Sequence, residues 1–219
     1  MSPQALPLDA RLVPIPPQAL THLARKDRRL AEVMALLSPP QRELMPDLFA
    51  ALLHAIVGQQ ISGKAQAAVW GRLQAALGQL SPDTVCAAAP ERLRACGLSA
   101  RKVAWVQEAA ARFVRGDLDP ARLASLADDD FCTTLCSLPG VGRWTAEMLL
   151  IFCLGRPDVL SFGDFGILRG LRMLYRHKSI DKSRFEQYRR RYSPHGTVAS
   201  LYLWAIAGGA IPEWSDPAA

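Results

Sequence analysis

Apolar residues along this chain recur at the three-to-four-residue spacing of an amphipathic helix, with polar residues on the opposite face of each predicted turn. The pattern predicts helices over 19–37, 48–57, 63–77, 82–88, 90–95, 100–114, 120–124, 128–137, 143–154, 165–175, 182–190 and 197–207. Breakers such as Ser38-Pro39-Pro40, Ser81-Pro82, Cys96-Gly97-Leu98-Ser99 and Gly116-Asp117 stand between them. The apolar–polar alternation of a half-buried strand is nowhere sustained, and no segment repeats at a solenoid period. An all-α fold is therefore expected. Five prolines in residues 1–17 read as an extended N-terminal arm.

Composition agrees with a helical protein without specifying its task. The 219 residues can bury a substantial core, as one domain or as two close lobes, and half of them are hydrophobic while only 7% are aromatic. The net charge of +6 is modest, but its distribution is uneven: from Arg169 to Arg191 nine Lys/Arg residues stand against Asp181 and Glu186. A solvated helical face is the ordinary explanation of such a run; next to a phosphate-binding turn it would be an electrostatic footprint for nucleic acid. The five cysteines, at 86, 96, 132, 136 and 153, form no Cys-x-x-Cys pair, and their odd number without a signal peptide argues against disulfides. His22, His54, His177 and His195 lack metal-ligand spacing and read as surface or nucleic-acid-facing residues. No apolar run is long and uncharged enough to span a bilayer, so the expected location is cytoplasmic and nucleoid-associated.

The chemistry concentrates in residues 135–167, LCSLPGVGRWTAEMLLIFCLGRPDVLSFGDFGI. Pro139 can set a turn, while Gly140 and Gly142 permit positive φ and leave backbone N–H groups unshielded. A helix beginning at Arg143 aims its first N–H groups the same way, so turn and helix together make a site for a phosphate oxygen. Taken singly, each piece has a plainer reading. Gly-x-Gly before a helix is usually just a turn, Trp144 is by default a core residue, and Asp164 ahead of an apolar stretch is most simply an N-cap.

Order and spacing change that reading. A hairpin, a tryptophan on the first helical turn, a Gly155-Arg156-Pro157 break and an aspartate twenty residues after the tryptophan together resemble the helix-hairpin-helix DNA glycosylases that end in a Gly-Pro-Asp signature. Within them the chain is most similar to the alkylation-repair branch, the 3-methyladenine DNA glycosylase II enzymes. The segment AIVGQQISGKAQAA from Ala55 to Ala68 is similar to the family's Gly-Gln-Gln-Ile-Ser segment. Gly97-Leu98-Ser99 with Lys102 is similar to a further stretch of the family's central domain, and Leu201 to Trp204 resembles its C-terminal helix. The resemblance implies two helical lobes with DNA bound in the cleft between them. One lobe would span residues 49–154, with the hairpin at about 128–154, and the other would join 18–48 to 155–219.

The resemblance also assigns roles. A glycosylase must take its base out of the stack, and the wedge filling the gap is Gln60, with Gln59 beside it. Breaking the N-glycosidic bond builds positive charge on the sugar, and the Asp164 carboxylate would stabilise that charge and orient water. Its place at a helix N-terminus suits both capping and catalysis. Bifunctional relatives carry at position 144 a lysine whose amine forms a Schiff base; Trp144 cannot, which implies hydrolysis that stops at an abasic site. The indole face would favour the cationic ring of 3-methyladenine or 7-methylguanine. Met148, Phe165 and Trp204 complete the base pocket, while Pro139, Gly140, Val141, Gly142, Arg143, Thr145, Arg169 and Arg172 hold the DNA backbone. The carbonyls of Cys136, Leu138 and Val141 are where such hairpins hold a sodium or potassium ion. Some relatives bind an iron–sulfur cluster through four closely spaced cysteines near the C-terminus; none lies after Cys153 here, so no cluster and no catalytic cofactor is expected.

Several positions depart from the family's wording. Phe165 stands where a tyrosine can follow the aspartate, Gly163 where a second carboxylate can precede it, and Ser193-Pro194-His195-Gly196 where Pro-Trp-Arg is frequent. These changes imply a roomier pocket. The partners expected are double-stranded DNA bearing alkylated bases and the enzymes that process abasic sites, with the protein acting as a monomer. Two alternatives stay open: a bifunctional glycosylase/lyase using Lys64 or Lys102, and a noncatalytic helix-hairpin-helix DNA-binding protein.

Overall fold

The computed structural model describes residues 12–218, so residues 1–11 of the predicted arm lie outside the described residues. Among the described residues the backbone forms thirteen α-helices and no strand, with an isolated antiparallel bridge between Leu12 and Glu43. The chain divides into two compact units, Met45–Leu149 and the combination of Met1–Leu44 with Leu150–Ala219.

In the first unit lie α3 (Leu48–Gly58), α4 (Gly63–Leu77), α5 (Pro82–Ala87), α6 (Pro90–Ala95), α7 (Ala100–Val114), α8 (Pro120–Ser125), α9 (Asp128–Cys136) and the start of α10 (Arg143–Phe152). Their starts follow from local chemistry, because short polar side chains satisfy backbone donors that a helix N-terminus leaves unpaired. Asp47 accepts from the Ala50 amide, Ser62 from Ala65, Ser99 from Lys102 and Asp119 from Arg122, while Ser81 and Thr84 form a reciprocal capping box. Leu52, Ile56, Leu73, Leu93, Val106, Leu123 and Phe131 are buried in this unit.

The second unit contains α1 (Pro17–Lys26), α2 (Arg28–Leu36), α11 (Phe165–Tyr175), α12 (Lys182–Tyr192) and α13 (Gly196–Ala207). Its core is built from Leu23, Leu30, Ile167, Leu171, Phe185, Tyr192, Tyr202, Leu203 and Ile206. The single helix expected over 19–37 is two helices, broken at Asp27. That residue is extended, with φ −145°, and its Oδ1 accepts the Leu30 amide at 3.0 Å to start α2. Its Oδ2 accepts from Arg191 Nη1 at 2.9 Å and from the Tyr175 hydroxyl, which also contacts the Tyr192 hydroxyl at 2.7 Å. A buried carboxylate needs such partners. A local cap and tertiary bonds from distant residues thus meet at the break.

α11 and α13 pack closely against each other. A Cβ added at Gly170 would strike the Leu203 carbonyl oxygen and lie 2.9 Å from its carbonyl carbon. Gly166, one turn earlier, faces Trp204 in the same way, with Cδ1 2.8 Å from an added Cβ. Because Gly170 meets backbone, which cannot swing aside, Gly170→Ala should cost about 1–3 kcal/mol and lower the thermal midpoint by several degrees. Gly142→Ala, with nothing within 4 Å of the new methyl group, should leave the midpoint within about 1 °C of wild type. Thermal melts of the two variants provide the check.

Candidate functional site

The hairpin turn lies between α9 and α10. Leu138 and Val141 are buried beneath it, and the Val141 amide donates to the Leu138 carbonyl at 3.2 Å to close it. Gly140 takes φ +80°, and a Cβ there would press into the Trp105 ring, 2.8 Å from Cζ3; left-handed backbone and close approach both require glycine. Gly142 is not in the left-handed region. It is exposed at the mouth of α10 with nothing within 4 Å of an added Cβ, so its use is the open surface it leaves. Pro139 is exposed beside it.

The first residues of α10 differ from one another in placement. Arg143 donates through Nη2 to Asp129 Oδ1 at 2.6 Å and through Nε to Glu147 Oε1 at 2.9 Å, and these carboxylates raise its pKa further. Its guanidinium is therefore held between two acids and does not stand alone as a phosphate ligand. Trp144 is 44% exposed, whereas Thr145 is buried and Met148 partly buried. Cys136 at the end of α9 is exposed. Among the described residues no group of three or more His, Cys, Asp or Glu is placed to hold a metal ion.

Gln59 and Gln60, adjacent in sequence, are used quite differently. The Gln59 amide nitrogen donates to the Gly140 carbonyl of the hairpin at 2.8 Å. Gln60 is exposed and adopts φ +57°, a conformation uncommon outside glycine. Ile61 beside it is 39% exposed. Lys102 Nζ donates to the Val57 and Gln59 carbonyls, at 2.7 Å each, and burial lowers its pKa. Lys64 is exposed at the start of α4.

In the other unit, Asp164 is the N-cap of α11 and only 6% exposed. Its Oδ1 accepts from the Ile167 amide at 2.8 Å and from the Trp204 indole nitrogen at 2.9 Å. Trp204 is stacked on Phe152, with ring centroids 5.6 Å apart, so the indole that fixes the carboxylate is itself fixed. Position 204 was expected to supply a pocket wall; its donation to Asp164, and the glycine at 166 that admits the indole, were not foreseen. The Gly166–Gly170 spacing on one helical face is the signal that could have shown a close approach there. Phe165 is 70% exposed, with the Arg172 guanidinium 5.7 Å from its ring centre.

The basic run from Arg169 to Arg191 is partly balanced by acids outside it. Arg172 is bidentate on Asp216, through Nε at 2.9 Å and Nη2 at 2.5 Å, and its side chain is 13% exposed. That pairing lowers the Asp216 carboxyl to about 2 and removes Arg172 from the set of outward-facing phosphate ligands. Arg169 keeps more exposure, 43%, although its Nε is 3.8 Å from the same carboxylate. Arg189 pairs with Asp158 at 3.1 Å and Arg191 with Asp27 at 2.9 Å.

Comparison with known proteins gives the arrangement a family. The model of the HhH-GPD superfamily base excision DNA repair proteins matches residues 53–195. DNA-3-methyladenine glycosylase 1 of Schizosaccharomyces pombe is 31% identical over 208 residues, which cover 91% of this chain and 90% of that protein. Among solved structures, a DNA-3-methyladenine glycosidase from Bacillus halodurans superposes with a TM-score of 0.81 at 32% identity, covering 93% of this chain and 95% of the other. The S. pombe 3-methyladenine DNA glycosylase in complex with abasic DNA superposes with a TM-score of 0.79 at 28% identity, covering 90% of this chain and 99% of that one. With its hairpin turn, its aspartate at the head of α11 and a match over most of its length, the chain belongs to the HhH-GPD superfamily of base excision DNA repair proteins.

Proposed function

We propose that this protein is a monofunctional DNA-3-methyladenine glycosylase of the type II class, which extrudes alkylated bases such as 3-methyladenine and 7-methylguanine from duplex DNA and hydrolyses their N-glycosidic bond. The observation that carries this reading is the Asp164 carboxylate, buried at the head of α11 and oriented by the Trp204 indole. A fixed negative charge favours a transition state in which the sugar becomes cationic, since it needs no reorganisation as that charge develops. Alkylation at a purine N3 or N7 makes the departing base cationic and weakens its bond, so a modest enzyme suffices for damaged bases. The 3-methyladenine glycosylase names of the relatives point to the same substrate class.

The remaining roles are those the family resemblance implies. Trp144 offers an indole face to a cationic ring, and Met148 follows one turn later on α10. Gln60 would fill the space left by the extruded nucleotide. The turn from Pro139 to Gly142 and the start of α10 would grip a phosphate through backbone amides, and Arg169, in the other unit, would add positive charge toward DNA. The carbonyls of Cys136, Leu138 and Val141 would hold a monovalent cation; Leu138, which accepts the Val141 amide, has a second lone pair to offer. Such an ion supplies positive charge beside the phosphate. The abasic product passes to enzymes that cut and refill the strand. Lys102, engaged by two carbonyls, is poorly suited to the Schiff-base chemistry of a lyase.

Base release from methylated duplex DNA tests the catalytic role. Asp164→Asn keeps the shape of the side chain and removes its charge, so excision should fall by about three orders of magnitude while affinity for undamaged duplex stays within about twofold. Near-wild-type release would leave a DNA-binding protein in which Asp164 only caps α11.

The reaction class is read from the strand. Purified enzyme should leave an abasic site that breaks only on alkali treatment, and borohydride should trap no protein–DNA adduct. Trp144→Ala should reduce excision of cationic bases about 2- to 30-fold, and that of neutral lesions less, through loss of the cation–π attraction. A trapped adduct would show a lyase, and equal losses on both base classes would remove Trp144 from recognition.

A further inference from the structure

One face of α7 supports two separate functional segments of its unit. Lys102 and Trp105 are three residues apart, so their side chains emerge on the same side of the helix. Lys102 takes the carbonyls of Val57 and Gln59, where α3 ends, at 2.7 Å each. Trp105 lies flat enough against the hairpin that only a glycine fits at 140. The Gln59 amide closes the triangle by donating to the Gly140 carbonyl at 2.8 Å. The residue that follows, Gln60, is exposed and held at φ +57°.

A glutamine in left-handed backbone persists only where its surroundings impose that conformation. Here the carbonyls on its N-terminal side are tied down by an ammonium group, which as a triple donor can serve both at once. A neutral apolar side chain at 102 would leave these two carbonyls without those partners and let the segment relax toward an ordinary helix end.

We propose that Lys102 is a positioning residue for base extrusion, holding the end of α3 so that Gln60 is presented in fixed register with the phosphate-gripping hairpin. Wedge and grip then act as one rigid body, and a hairpin seated on the backbone delivers the wedge at a fixed distance along the strand. The proposal rests on the reading of Gln60 as the wedge.

The test is a mutant cycle read by two signals: single-turnover release of 7-methylguanine, and the fluorescence of a 2-aminopurine placed next to the lesion, which reports unstacking. Lys102→Met should slow release and the fluorescence step together, by about ten- to a hundredfold, with affinity for undamaged duplex within about twofold of wild type. Gln60→Ala should produce a similar loss, and the double variant should be no worse than the poorer single one, because both changes remove the same event. Lys102→Arg, which keeps cationic donors, should recover most of the rate. Multiplicative losses in the double variant would overturn the coupling, as would a slowed release with an unchanged fluorescence step. A Gln60→Ala variant with wild-type signals would instead overturn the wedge reading itself. Should Lys102→Met fail to fold, Lys102→Gln takes its place in the cycle, and the same non-additivity decides.

Discussion

A carboxylate withdrawn from water is tolerated only where donors meet its oxygens, and this requirement organises the unit that holds Asp164. One donor is local, the Ile167 amide at the head of α11; another must be brought by a different helix, the Trp204 indole of α13. To deliver the indole, α13 has to approach α11 more closely than side chains ordinarily allow. Gly166 and Gly170 provide that clearance, and Phe152 backs the indole from its far side. Phe165, the residue after Asp164, is by contrast left 70% exposed.

The hairpin unit solves a related problem with the same device. Its turn lies close to a supporting helix and, in the proposed phosphate-binding role, has to leave amides uncovered outside. Gly140 satisfies the first demand by resting on Trp105, and Gly142 the second by leaving open space before α10. In the two units glycine is required where backbone must approach a ring or another backbone. At Gly142 its value is the absence of any neighbour.

The helices were legible because their signals are local: apolar period, breakers, and a capping side chain three residues before the amide it serves. Asp164 was legible for the same reason, since cap position and motif spacing both lie within one short segment. What escaped the sequence was long-range. Asp27 caps α2 locally, but the partners of its other carboxylate oxygen, Tyr175 and Arg191, are 148 and 164 residues away. The basic run read as a dense positive patch, yet Arg172, Arg189 and Arg191 pair with Asp216, Asp158 and Asp27, none of which lies in the counted window. Gln59 could not be told from Gln60 by composition, and a bond to Gly140, 81 residues away, separates them.

Gln60 also carries a conflict between what its backbone favours and what the proposed wedge role asks of its side chain. Its left-handed φ of +57° suits glycine best and asparagine next, while a long β-unbranched amide pays a conformational penalty of about 1–3 kcal/mol. Replacement by glycine would relieve that strain and delete the group that reaches outward. Under the proposed wedge role, selection for thermal stability and selection for an outward-reaching amide oppose each other at this residue. A stabilised version of the enzyme designed from folded-state energies alone would favour glycine here, and would lose the reaching group in doing so.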